Sequence, residues 1–155
     1  MKTFFRVCLR LATVSLFSLT VSADATGPGL VISDAWARAT PPGAPMGAVY
    51  LQIANPTIRP IQVTEITTAV AKISEIHESI ERDGMSRMRE VDPFIVESGA
   101  TVSLVPGGKH IMLMRLHEPL IQGGKFLLVF SGNDGYRSEV EVIVGSFGQM
   151  EMPQD

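Results

Sequence analysis

The sequence predicts an all-β domain, an antiparallel sandwich or barrel of about eight strands. Three observations carry this expectation. Short segments of alternating apolar and polar residues recur, breakers rich in Gly, Pro and Asn separate them, and no amphipathic stretch has the length of an ordinary helix. Leu30 to Ala37 has strand character and runs into Thr40-Pro41-Pro42-Gly43-Ala44-Pro45, which cannot continue regular pairing. In Gly47 to Ala54, Val49, Leu51 and Ile53 alternate with Tyr50 and Gln52 until Asn55-Pro56 ends the strand. Ile61 to Thr68, rich in Val, Ile and Thr, is the third segment.

Ile73 to Glu81 and Met85 to Val91 flank Asp83-Gly84, the dipeptide favoured in a two-residue hairpin turn. Such a turn pairs Arg82 with Met85, and so sets His77 opposite Glu90 and Met88 opposite Ser79. Opposed residues and their i±2 neighbours share a face, which makes Met88 the diagonal neighbour of His77. A loop one residue longer or shorter would break that register. Phe94 to Val96 and Thr101 to Val105 read as further strands around Glu97-Ser98-Gly99, and Pro106-Gly107-Gly108 then turns the chain into His110 to Leu116. There Ile111 and Leu113 face one side while His110, Met112 and Met114 share the other. After loops at His117-Glu118-Pro119 and Gln122-Gly123-Gly124, Phe126 to Phe130 and Tyr136 to Val144 form a last hairpin.

The beginning of the chain reads as an export signal. Lys2, Arg6 and Arg10 precede an apolar run from Leu11 to Val21, and Val21-Ser22-Ala23 offers small residues for cleavage. The expected organisation is a signal peptide over 1–23, one β domain over 24–146 and a flexible tail over 147–155. A cut before Thr26 fits the small-residue pattern as well. The apolar run is shorter than the roughly 18 residues that span a bilayer, so no retained membrane anchor is expected. Cys8, the only cysteine, falls within the signal, and the mature chain therefore offers no disulfide, thiol nucleophile or thiolate ligand. Loss of three basic residues leaves 10 against 16 acidic ones, a net charge of −6, with no basic patch for nucleic acid. Without a phosphate loop, nucleophile elbow or paired carboxylates, the sequence does not read as an enzyme.

What stands out is soft donors. Residues i and i+2 of a strand lie about 6.8 Å apart, so His110 and Met112 can reach one ion. Taken singly, a strand Met is a core filler and a His a solvated or hydrogen-bonded side chain. Taken together, His77-x10-Met88-x21-His110-x-Met112 resembles the signature of the periplasmic copper chaperones with a cupredoxin-like fold, PCuAC-like proteins associated with the CuA centre of cytochrome c oxidase. The resemblance extends to Asp34-Ala35-Trp36-Ala37-Arg38-Ala39-Thr40-Pro41-Pro42-Gly43, Ala48-Val49-Tyr50, Met85-Ser86-Arg87-Met88-Arg89 and Pro106-Gly107-Gly108-Lys109-His110-Ile111-Met112-Leu113-Met114. Lys109 stands where such sequences often carry an aromatic residue, and Gly123-Gly124 replaces a common Gly-Asp turn.

The resemblance implies a Greek-key, cupredoxin-like domain that binds one Cu(I) per chain through His77, Met88, His110 and Met112. It further implies a periplasmic carrier that passes copper to a recipient cuproprotein such as the CuA domain. Thioethers are soft and are not lost to protonation, and neutral imidazole adds a stronger donor, a set suited to Cu(I). Proton competition for the imidazoles should weaken binding as pH falls through the histidine range near 6.5. Met is a poor zinc ligand, and blue copper needs a thiolate. Met114 is expected to pack beside the site, Met85 to sit at the hairpin turn and His117 in a solvated loop. Met150 and Met152 belong to the tail, as an auxiliary copper site or as plain chain. Trp36 and Tyr50 are expected in the sandwich core. A metal-free exported binding or adhesion module and a copper-tolerance or storage protein are the alternatives.

Overall fold

A computed structural model of the chain describes residues 29–153 apart from 83 and 134, so the expected signal peptide lies outside the described residues. Ten strands form, with no helix among the described residues: β1 (Val31–Arg38), β2 (Met46–Ala54), β3 (Ile61–Thr68), β4 (Ala71–Arg82), β5 (Met85–Glu90), β6 (Phe94–Val96), β7 (Thr101–Leu104), β8 (Lys109–Leu116), β9 (Lys125–Gly132) and β10 (Arg137–Gly145). The count is slightly above the expected eight, and each of the ten strand segments read from the sequence forms a strand, β6 and β7 being the shortest at three and four residues. The hydrogen-bonded order is β5-β4-β8-β2-β1-β10-β9-β3-β6, with β7 also on β2. All pairs are antiparallel except β1 with β10, which run parallel. The sheet curls so that β3 comes back against β4, which encloses an apolar core.

The core is built from alternate residues. Val49, Leu51 and Ile53 of β2, Ile76 of β4, Ile111 and Leu113 of β8, Leu128 and Phe130 of β9 and Val142 of β10 are buried in one cluster. Burying each such side chain contributes about 1.5–3 kcal/mol, enough to fix the register of every strand that supplies one.

Two local features aim β8. Along one edge of β2, Leu51–Ala54 pairs with β7 and Met46–Val49 with β8. Between Leu104 and Ile111 the chain leaves that edge in a turn whose Gly107 has φ 79°, a left-handed conformation natural to glycine. The first residues of β8 are thereby free of β2 and pair with β4 instead, Lys109 with Glu78 and His110 with His77. On the other side of β4 the hairpin to β5 has the expected register, His77 opposite Glu90 and Ser79 opposite Met88, with Gly84 at φ 73° in the turn.

Candidate metal centre

These registers lay side chains in rungs across the outer face, the one turned away from the core. One rung runs Trp36, Tyr50, His110, His77, Glu90 over β1, β2, β8, β4 and β5. Trp36 pairs with Tyr50, and their ring centroids lie 4.7 Å apart. Tyr50 and His110 are 6.4 Å apart, His110 and His77 6.3 Å, and His77 pairs with Glu90. The next rung holds Ala48, Met112 and Glu75, and the one after it Met46, Met114 and Ile73. Met88 stands opposite Ser79, diagonal to His77 as the hairpin register requires. The structure thus brings His77 and His110 directly together, with Met112 and Met88 on neighbouring rungs to either side.

Burial differs sharply around this group. His110 is 4% exposed, Met112 half-buried and Met88 59% exposed. Trp36 and Tyr50 are buried, as expected of large strand residues, but they stand outside the main apolar cluster. They form a second packed row that ends on His110, so their place is beside the site. Burial pushes the Tyr50 hydroxyl above its ordinary pKa, opposed in part by Arg38, whose guanidinium lies 5.4 Å from the ring centroid.

Hydrogen bonds assign the imidazole tautomers. His110 Nδ1 lies 3.0 Å from the Gly108 carbonyl, which can only accept, so Nδ1 carries the proton and Nε2 keeps its lone pair. His77 Nε2 lies 3.2 Å from Glu75 Oε2. The carboxylate accepts that proton and leaves Nδ1 with the lone pair. Glu75 is a residue that sequence reasoning missed, although its position two before His77 on the same strand was signal enough to place the two on one face. On the opposite face of β4, Glu78 bridges both neighbouring strands, with Lys109 Nζ at 2.9 Å and Arg89 Nη2 at 3.0 Å. Hydrogen bonds from Lys109 and then Arg89 hold its carboxyl below the usual glutamate range.

Among the described residues, no group of three or more His, Cys, Asp and Glu could hold a metal ion. The donors on the rungs next to the two histidines include the thioethers of Met112 and Met88, which favour a soft ion. The other residues singled out from the sequence fall as follows. Met85 is exposed at the start of β5, and His117 is exposed in the loop after β8. Arg38 donates from Nε to the Gln149 carbonyl at 2.6 Å and from Nη2 to the Met150 sulfur at 2.8 Å. A guanidinium at that sulfur opposes a metal cation there. Met152 lines a separate groove with Trp36 and Gln52.

The family model described as "Putative lipoprotein LpqE-like" matches residues 30–144, the span from β1 to β10. This chain belongs to the LpqE-like family. A relative from Leifsonia xyli subsp. xyli, which carries the same lipoprotein description, is 34% identical over 120 residues, 77% of this chain and 71% of its own. A protein of Rickettsia prowazekii is 30% identical over 100 residues, 64% of this chain and 55% of its own. The solution structure of CuI-DR1885 from Deinococcus radiodurans superposes with a TM-score of 0.62 at 26% identity, covering 80% of this chain and 83% of that one. The copper-bound PCuAC domain from PmoF2 gives a TM-score of 0.65 at 17% identity, covering 77% and 94%. The fold of the LpqE-like chain is therefore that of PCuAC domains, cupredoxin-like as the resemblance implied.

Proposed function

We propose that this LpqE-like protein is a Cu(I) carrier, in which His77, Met88, His110 and Met112 hold one copper ion for delivery to a cuproprotein. The observation that carries this reading is the His77–His110 rung, 6.3 Å between ring centroids, flanked on the same face by Met112 and Met88. Two neutral nitrogens and two thioethers match a soft monovalent ion. The Nδ1–H bond of His110 to the Gly108 carbonyl fixes the ring and leaves its Nε2 lone pair to serve as the donor. Solved proteins of the same fold carry copper in their names, which supports the same cargo here. The basic and apolar start of the chain supports export to the periplasm, and the CuA site of cytochrome c oxidase is the recipient to try first.

The test is a Cu(I) competition titration of the mature chain. One tight equivalent is expected, lost when His77→Ala and Met112→Ala are combined. Absence of stoichiometric binding, or binding that survives both substitutions, would refute the reading. Transfer from the loaded protein to an apo CuA domain then tests the recipient. Tight binding without transfer would assign the protein to copper tolerance or storage instead.

A further inference from the structure

Four of the eight methionines of the chain stand on the donor face, and only two of them belong to the four-residue site. We propose that Met46, Met114 and the shared Met112 form a second, all-thioether station for Cu(I), beside the histidine rung. The register places them. Met46 and Met114 are directly opposed, and Ala48 opposes Met112 one rung away. Met112 is thus the diagonal neighbour of Met46 and the i−2 neighbour of Met114, within the reach of long side chains. Ala48, the small residue of this set, lines a groove together with Met46 and Met112, and Met114 pairs with Met46 at its side. That groove, of about 260 Å³, is also lined by Tyr50 and Phe147, so Met112, one rung from the histidines, opens toward β2 as well.

An apolar cross-strand pair is the plainer account of Met46 and Met114, but it explains little of Met46, which is 52% exposed. A thioether left in water on the donor face contributes little burial, and what it does offer is a soft lone pair. Arg38 lines the same groove, yet its guanidinium is committed to the Tyr50 ring, the Gln149 carbonyl and the Met150 sulfur. Its presence favours a monovalent cargo over a divalent one at this station. Thioethers alone hold Cu(I) less firmly than a set containing imidazole, so the second station fills after the first. Because Met112 belongs to both, the station rests on the carrier reading and gives the ion a path from the histidine rung toward the exposed end of β2.

The experiment uses the full mature chain with 13C-methyl methionine, titrated without oxygen with Cu(I), and with Ag(I) as a redox-inert probe. The first equivalent should shift the Met88 and Met112 methyl signals, and the second those of Met46 and Met114. In Met46→Leu/Met114→Leu the second equivalent should be lost and the first retained. Met→Leu conserves volume and leaves the fold intact, which the unchanged Met85 signal would verify. Met46 and Met114 signals unmoved through two equivalents, or a second equivalent taken by Met150 and Met152, would overturn the proposal. A first equivalent that bypasses Met88 and the histidines for Met46 and Met114 would sink the four-residue site and leave the thioether station standing.

Discussion

Replacing His110 with Ala should damage the metal-free protein as well as copper binding, whereas replacing Met88 with Ala should affect copper binding alone. His110 is 4% exposed, donates Nδ1–H to Gly108 at 3.0 Å and lies against Tyr50. The Gly108 carbonyl also accepts the Ser79 N–H at 3.2 Å, so it is not orphaned when the imidazole goes. The cost is then one net hydrogen bond, about 1 kcal/mol, and not the larger penalty of an unpaired buried acceptor. Lost ring contact with Tyr50 adds about 1 kcal/mol. The sum, about 2 kcal/mol, corresponds to a Tm lowered by roughly 8 °C for a domain of this size. Met88 is 59% exposed on an edge strand, and its truncation should stay within about 0.5 kcal/mol. Thermal unfolding without metal, followed by circular dichroism beside a Cu(I) titration of each variant, separates the two effects. Equal Tm shifts for both variants, or a silent His110→Ala, would refute the view that His110 is a structural anchor as well as a donor.

Glu75→Ala removes the acceptor that orients His77 and should lower Cu(I) affinity about tenfold or more without unfolding the protein, since losing the partner of a ligating imidazole typically costs that much; a competition titration measures it, and unchanged affinity would remove Glu75 from the site. Glu78 is held below its ordinary value of 4.5 in the folded protein. A lowered pKa gives stability that is present above that value and lost as pH falls through the folded one. Melting of Glu78→Gln against the parent chain should show a deficit at pH 7 that narrows on acidification below 4.5, and a constant deficit would contradict the ion-pair account. Tyr136 is pushed up to about 12 by burial, and its hydroxyl has no hydrogen-bond partner among the described residues. The folded chain therefore keeps the Tyr136 proton longer than the unfolded one and should lose stability between pH 10 and about 12. Tyr136→Phe should remove that loss and raise stability at neutral pH by about 1 kcal/mol; alkaline melts decide it.

Local signals made the hairpin legible. Asp83-Gly84 fixed the turn, the turn fixed the pairing of Arg82 with Met85, and every opposed pair back to His77 and Glu90 followed. The His77–His110 rung was beyond that method, because β4 and β8 are separated by the whole β5 to β7 excursion. Their pairing depends on how far the Pro106-Gly107-Gly108 turn displaces the chain from β2, a tertiary quantity no local pattern contains. Only the family spacing tied the two halves together. The alternation of β2 did place Tyr50 opposite in sense to Val49, Leu51 and Ile53, yet its aromatic character drew it into the expected core. Burial on the outer face came from β1 and His110, residues 14 and 60 positions away. The parallel β1–β10 pair joins the two ends of the domain and leaves no periodic mark.

The donor face exists only in one register, and β4 shows why that register holds. Its odd-numbered residues Ile73, Glu75, His77 and Ser79 face outward, while Ile76 is buried in the core and Glu78 joins Lys109 on β8 to Arg89 on β5. Slipping β4 by one residue would expose Ile76, unmake both ion pairs and turn His77 away from His110 in a single step. Surface ion pairs stabilise little by themselves. Their place one residue from His77, spanning all three strands of the site, gives them a different weight, because the wrong register loses them together with the core contact. Ile76 and Glu78, neither of them a metal donor, thus determine which side chains of β4 can meet His110, Met112 and Met88.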